Sequence, residues 1–183
     1  SEKLAETLRH LKAFGIDKNH GERRLPGFYD AVSLGFNYRM SEIHAAIGIE
    51  QLKKLDKFLK IRKANFQHLS ENLKNINMIR ILPQPSDIIS EGSFYCMAIL
   101  LRENVAFQRS VLIKNLGKKG IGTSVYYPQP VPRMTYYAKK YGYESLSFRN
   151  AEIISDGIIC LPVAPHLKTS DMDFISEVLI KEL

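Results

Sequence analysis

The longest run of helical periodicity follows Ser41 and continues to about Asn75 without an internal proline. Apolar residues recur near every third or fourth position, as one face of an α-helix requires. Ser41 is expected to cap this helix, and Glu42 lies in the first turn, where the helix dipole favours a carboxylate. About 34 residues at 1.5 Å each give roughly 50 Å, so we expect a helix that bridges two bodies of structure. Its apolar positions are Ile43, Ile47, Leu52, Leu55, Leu59, Phe66, Leu69 and Leu73.

The region before the long helix has a different pattern. Leu4, Leu8 and Leu11 predict a short amphipathic helix over residues 2–14, closed by Gly15. Residues 16–33 are polar and lack periodicity, which predicts a loop.

After the long helix, short apolar runs alternate with amphipathic ones. Ser170 is expected to cap the last helix, and Pro162 to stop the strand before it. Strands and helices intermixed around a small sheet indicate an α+β domain. The predicted strands cover residues 78–82, 94–101, 120–127 (a turn and then a strand) and 158–161; the predicted helices cover 104–120, 136–141, 148–155 and the stretch after 170; a loop is predicted over 85–92.

Composition is ordinary for a globular protein, with 45% apolar and 25% charged residues among 183. The formal net charge of +7 admits an alternative function, a non-catalytic regulatory or interaction module that binds nucleic acid. Such a module needs basic residues clustered on one face, whereas these lysines are spread along the chain. No helix-turn-helix or other nucleic-acid motif is present, so nucleic acid is not the expected partner.

Other features of the sequence indicate the cellular compartment of the protein. No apolar run reaches the length of a membrane span, and residues 1–12 alternate charge with apolar side chains, unlike a secretory signal. Cys96 and Cys160 lie in apolar, strand-like runs, which favours buried thiols over a disulfide. We therefore expect a cytoplasmic protein without a membrane segment.

No common catalytic or metal-binding pattern is visible. The five histidines show no i, i+4 pairing, so no metal site is predicted. A Ser-His-Asp order and a phosphate-binding glycine loop are also missing from the sequence.

Three stretches carry a family resemblance. Residues 35–52 read G-x-N-Y-R-M-S-E-I-x-A-A-x-G-x-x-Q-L, residues 122–128 read GTSVYYP, and residues 161–167 read LPVAPHL. Together they resemble the DegT/DnrJ/EryC1/StrS family of pyridoxal-phosphate-dependent sugar aminotransferases. The resemblance implies the C-terminal half of such an enzyme: the α+β small domain of the aspartate-aminotransferase-like fold, with a long bridging helix. Residues 1–38 would end the large cofactor-binding domain, and residues 39–183 would form the helix and the small domain.

The resemblance also assigns the chemistry. In the family, the lysine that holds pyridoxal phosphate and its partner acid lie upstream of the first matched stretch, so this chain is expected to contain no catalytic residue and to be inactive alone. The family's G-x-N-Y asparagine, Asn37 here, would bind the cofactor phosphate of the partner subunit in a homodimer; a plain turn role is the alternative. Arg39 would pair with an anion or with Glu42.

The resemblance places the stretch from Tyr127 to Arg133 near the mouth of the active site. Tyr127 and Arg133 are therefore predicted to bind substrate, although a solvated loop role for Arg133 stays open. Pro132 stands where many members have a histidine, which puts the usual substrate contact in doubt. The reaction implied moves an amino group from an amino acid, expected to be glutamate, to a keto-sugar on a nucleotide.

Overall fold

The computed structural model describes residues 1–17, 25, 27–83, 92–143 and 147–183. Residues 85–91 of the predicted loop over 85–92, and much of the predicted loop over 16–33, including His20, lie outside these ranges. The chain forms two compact units, Ser1–Lys54 and Leu55–Leu183. The domain boundary predicted at 38/39 concerns the complete protein and stays a prediction. The elements are α1 (Glu2–Leu11), α2 (Glu42–Leu73), β1 (Ile79–Ile81), β2 (Met97–Leu101), α3 (Glu103–Ala106), α4 (Arg109–Lys118), a 3₁₀ turn (Val131–Arg133), α5 (Thr135–Tyr141), α6 (Arg149–Gly157), β3 (Ile158–Leu161) and α7 (Thr169–Glu182).

The long helix α2 begins and ends close to its predicted bounds. Ser41 caps it, since the Ser41 hydroxyl accepts a hydrogen bond from the backbone N–H of His44 at 3.3 Å. Phe66, Leu69 and Leu73 are buried in the second unit, whereas the apolar residues of the first turns, such as Ile43, are exposed. Among the described residues, no helix is long and apolar enough to cross a membrane.

The second unit is built on a three-stranded antiparallel sheet in the order β1-β2-β3. Ile79 pairs with Leu101 across the first ladder, and Ala98 pairs with Cys160 across the second. Every residue of β3 is buried, so both faces of this strand are covered. The main core lies where β-strand residues meet α2, α4 and α7; its fully buried members include Leu69, Leu73, Met97, Ile99, Leu101, Leu116, Ile159, Leu161, Met172 and Leu179.

Helix α6 approaches the central strand closely. A Cβ added to Gly157, the last residue of α6, would lie 2.8 Å from the carbonyl oxygen of Leu101 and 2.9 Å from Leu100 Cδ1. Only glycine therefore fits where this helix passes into β3. The close packing of α6 places its side chains next to the loop that precedes α5.

Two predicted elements are wrong. The single helix predicted over 104–120 is two helices, because α3 packs against α6 whereas α4 packs against α7 and β3. The strand predicted within 120–127 reduces to one bridge, in which Ser124 and Cys160 exchange hydrogen bonds of 3.1 and 2.8 Å. Prolines at 128, 130 and 132 lack the N–H that a longer ladder needs.

Some helix and strand boundaries in the structure differ from the predicted ones. Helix α1 ends at Leu11 rather than near Phe14, and α7 begins at Thr169, so Ser170 lies inside the helix. The carboxylate of Asp171 accepts a hydrogen bond from the backbone N–H of Lys168 at 2.7 Å, and this bond caps α7 in place of Ser170. Strand β2 begins at Met97, so Cys96 lies outside it and is half-buried instead of buried.

Candidate functional site

The turn that carries Asn37 is held by close backbone pairing with the end of α1. The N–H of Phe36 donates to the Leu11 carbonyl at 2.6 Å, and the Phe14 N–H donates to the Phe36 carbonyl at 3.0 Å. A Cβ on Gly35 would lie 1.9 Å from the Gly15 nitrogen. Only glycine fits at that approach, so the backbone at Asn37 is fixed immediately before α2.

The Asn37 side chain is exposed at this fixed position. Its amide makes no hydrogen bond to any of the residues that the structure describes. Helix α2 begins five residues later, at Glu42, and the helix dipole favours negative charge at this end. An amide donor and a helix start in one short stretch suit an anion such as phosphate.

Arg39, two residues after Asn37, does not form the ion pair considered for it. Its guanidinium lies over the Phe14 ring, 5.1 Å from the ring centroid. Within the described part of the chain it makes no ion pair with Glu42. The cation–π contact instead ties the turn to the segment after α1.

Of the two predicted substrate-binding residues, Tyr127 lines an open groove of about 870 Å³ in the second unit, and Arg133 does not. Six of the groove's fourteen lining residues are aromatic, and Tyr127, a residue 69% exposed, lies at the rim. Ring pairs stiffen the lining: Tyr137 stacks on Tyr141, and Tyr143 meets Phe148 edge to face at 5.3 Å. The lining residues are Tyr126, Tyr127, Gln129, Pro130, Val131, Pro132, Met134, Tyr137, Tyr141, Tyr143, Phe148, Ala151, Ile154 and Ser155.

Arg133 closes the 3₁₀ turn beside this groove and is held by two carboxylates of α6. Its Nη1 donates to Asp156 Oδ1 at 2.7 Å, and its Nη2 donates to Glu152 Oε2 at 2.9 Å. Asp156 and then Glu152 raise the pKa of Arg133 by accepting these hydrogen bonds. Arg133 is thus an anchor between the loop and α6, and not a solvated loop arginine.

Sequence reasoning did not assign Glu152 and Asp156 to the site. They are four residues apart on one helix, a spacing that puts two carboxylates on the same face. That spacing was the available signal, but it does not say which cation the pair binds. The described residues contain no group of three or more side chains that could hold a metal ion.

The chain is similar in sequence to transaminases of nucleotide-linked sugars. The chain is 31% identical over 187 residues to the UDP-4-amino-4,6-dideoxy-N-acetyl-beta-L-altrosamine transaminase of Campylobacter jejuni serotype O:2, an alignment that covers 100% of this chain and 46% of that protein. It is 27% identical over 176 residues to the dTDP-4-amino-4,6-dideoxy-D-glucose transaminase of Shigella dysenteriae, covering 96% and 44%. The chain therefore spans less than half the length of these relatives.

The fold has solved counterparts. Helicobacter pylori PseC, an aminotransferase involved in the biosynthesis of pseudoaminic acid, superposes with a TM-score of 0.84 at 21% identity, over 100% of this chain and 46% of PseC. The pattern of the DegT/DnrJ/EryC1/StrS aminotransferase family matches residues 1–179, which include both the Asn37 turn and the Tyr127 loop. The chain belongs to the DegT/DnrJ/EryC1/StrS aminotransferase family.

Proposed function

We propose that this chain is the C-terminal half of a pyridoxal-phosphate-dependent aminotransferase that moves an amino group from glutamate to a keto-sugar carried on a nucleotide. The observation that carries the proposal is the family match over residues 1–179, because one continuous match contains both candidate regions. The names of the relatives support the substrate class, since they are transaminases of UDP- and dTDP-linked sugars.

The residues of the Asn37 turn fit a cofactor phosphate. The exposed amide of Asn37 is free to donate, and the nearby N-terminus of α2 favours negative charge. Pyridoxal phosphate, when bound, supplies the electron sink through which an amino group passes from donor to acceptor. We assign Asn37 the binding of this phosphate in the partner subunit of a homodimer, and we assign no catalytic residue to this chain.

The aromatic groove is the proposed substrate-binding site. Tyr127 offers an exposed ring and hydroxyl, which suit a planar base or a sugar hydroxyl. Both Nη atoms of Arg133 already bind carboxylates, so a direct phosphate contact would have to displace them. We therefore keep Arg133 in the substrate site as a positioning residue that holds the loop carrying Tyr127. The proposed enzyme works in the cytoplasm.

The test uses the complete protein loaded with cofactor. UDP- and dTDP-linked 4-keto-sugars are incubated with ¹⁵N-glutamate, and the sugar product is analysed by mass spectrometry. We expect ¹⁵N in the sugar, with less product for Tyr127→Ala than for Tyr127→Phe, which keeps the ring. Absence of amino transfer to every nucleotide-linked keto-sugar, from glutamate or any other amino acid, would reject the proposal.

A further inference from the structure

Cys96 and Cys160 are neighbours beneath the loop that carries Tyr127, through the register of β2 and β3 and the bridge of Cys160 to Ser124. Cys160 lies in β3 opposite Ala98, and Cys96 precedes Ala98 by two residues, so the two cysteines are diagonal neighbours on one face. The two thiols are close enough to shift each other's pKa. Both cysteines are free.

The two thiols differ in access. Cys160 is buried, and its backbone is held on both sides, by Ala98 in β2 and by Ser124 in the bridge. Cys96 is half-buried and precedes the first residue of β2, so the ladder does not fix it. An oxidant can therefore reach Cys96 first, with Cys160 directly behind it.

We propose that Cys96 and Cys160 form an oxidation site, in which a peroxide oxidises Cys96 and Cys160 then closes an intramolecular disulfide. The Cys96 thiolate attacks one oxygen of hydrogen peroxide, the O–O bond breaks, and Cys96 sulfenic acid and hydroxide form. The Cys160 sulfur then attacks the Cys96 sulfur, the S–O bond breaks, and water leaves with the Cys160 proton. The two thiols lose two electrons in total, and the peroxide is reduced to water. The site is independent of the proposed transamination.

The electrostatics agree with this order of events. The hydrogen bond from Cys160 lowers the pKa of Cys96 to about 7, below the usual thiol value of about 8.5. The same bond and burial raise the pKa of Cys160. The titratable neighbours are the Tyr95 and Tyr126 phenols, and from α2 the Arg62 guanidinium faces the Tyr95 ring at 5.9 Å. A thiolate at neutral pH is thus expected on Cys96.

Closing the disulfide requires a small movement. Diagonal neighbours lie roughly 7–8 Å apart at Cα, and a disulfide spans about 4.4–6.8 Å. Cys96 can make up this difference because it lies outside the ladder. The backbone of Cys160 also exchanges two hydrogen bonds with Ser124, so the oxidised pair would tighten the base of the loop that carries Tyr127.

The test treats the full chain with hydrogen peroxide, blocks remaining thiols with an alkylating agent and maps tryptic peptides without reduction. The cysteines fall in separate tryptic peptides, residues 81–102 and 150–168, so the disulfide appears as one cross-linked species. We expect this species in monomeric protein. A wild-type monomer that remains dithiol, or that shows over-oxidised Cys96 and no cross-link, would overturn the proposal.

Two variants separate the roles. Cys160→Ala should accumulate a Cys96 sulfenic acid that dimedone traps, whereas Cys96→Ser should leave Cys160 unmodified because that thiol is buried. The alkylation rate of Cys96 should rise with a midpoint near pH 7 in the wild type and shift upward in Cys160→Ala, which removes the donor at position 160. Circular dichroism checks that each variant is folded. Equal reactivity of both single thiols, or an unshifted midpoint, would contradict the assigned order.

Discussion

His68 of α2 and Asp173 of α7 join the two helices, with His68 Nε2 2.6 Å from Asp173 Oδ1. Asn72 donates to the same carboxylate oxygen at 2.9 Å. These hydrogen bonds, that of His68 first, lower the pKa of Asp173. The carboxylate therefore stabilises the folded state above the ordinary aspartate pKa of about 3.9. This stabilisation is lost as the pH falls from about 3.9 through the lower pKa that Asp173 has in the folded protein.

We expect Asp173→Asn to be less stable than the wild type at pH 6, and the difference to shrink in acid below about pH 4. Urea unfolding at a series of pH values measures it. Glu177→Gln, an exposed carboxylate on the same helix, is the control and should change little. A difference that stays constant down to the most acidic folded condition would contradict the linkage.

Arg133→Gln should lower the free energy of unfolding, because it removes the hydrogen bonds that the guanidinium donates to Glu152 at 2.9 Å and to Asp156 at 2.7 Å. We expect a loss of about 1 kcal/mol, below the roughly 1.5–3 kcal/mol of a charged hydrogen bond, because the Arg133 side chain is partly exposed. A double-mutant cycle with Glu152→Gln in urea should show positive coupling. Arg149→Gln is the matched control, since Arg149 is 4.0 Å from Glu103 and both are exposed. Equal losses at Arg133 and Arg149 would argue against the anchor.

Asn37→Ala in the complete enzyme should weaken cofactor binding by about 1–2 kcal/mol, the loss of one hydrogen bond to a charged group. Equilibrium titration of the cofactor measures it. Asn37→Asp should weaken binding further by repulsion, whereas a turn role alone would tolerate aspartate. Because the proposed contact crosses subunits, dilution of the wild type below its dimer constant should mimic the variant. Unchanged affinity in a folded, dimeric Asn37→Ala protein would leave Asn37 as a turn residue.

The first turns of α2 present exposed apolar side chains, among them Ile43, Ile47 and Leu52. We expect this chain to self-associate through them, because exposed apolar surface of this kind is a site of association. Sedimentation velocity over a range of concentrations should show it, with association reduced by Ile47→Lys and Leu52→Lys. Gln51→Lys adds the same charge at an exposed neighbour and is the control. A chain that stays monomeric at high concentration would refute this prediction.

Gly157→Ala should destabilise the protein by about 1–3 kcal/mol, because its methyl group would meet the Leu101 backbone at the end of α6. Gly117→Ala lies within helix α4 with no atom near its added Cβ, and should stabilise by about 0.5–1 kcal/mol. Thermal unfolding of the two variants shows whether each substitution lowers or raises the stability. A neutral Gly157→Ala would mean that α6 can shift away from β2 without loss.

Some features of this protein follow from its sequence alone because their causes are local. The start of α2 depends on Ser41 and on a helical period within the same stretch, and β3 depends on a short apolar run stopped by Pro162. The motif around Asn37 identified the family in the same way, from residues next to one another. The roles of Asn37 and Tyr127 toward ligands stay predictions.

Other features were decided only by the tertiary structure. Arg133 meets Asp156 and Glu152 across 23 and 19 residues, and no local pattern tells an arginine which carboxylates it will face. The stretch around Ser124 has the composition of a strand, yet only one residue pairs, because Cys160 offers it a single bridge before the prolines begin. Likewise, Cys96 and Cys160 are 64 positions apart and adjacent only through the register of β2 and β3. Long-range pairing depends on how whole elements pack, and a one-dimensional pattern does not contain that information.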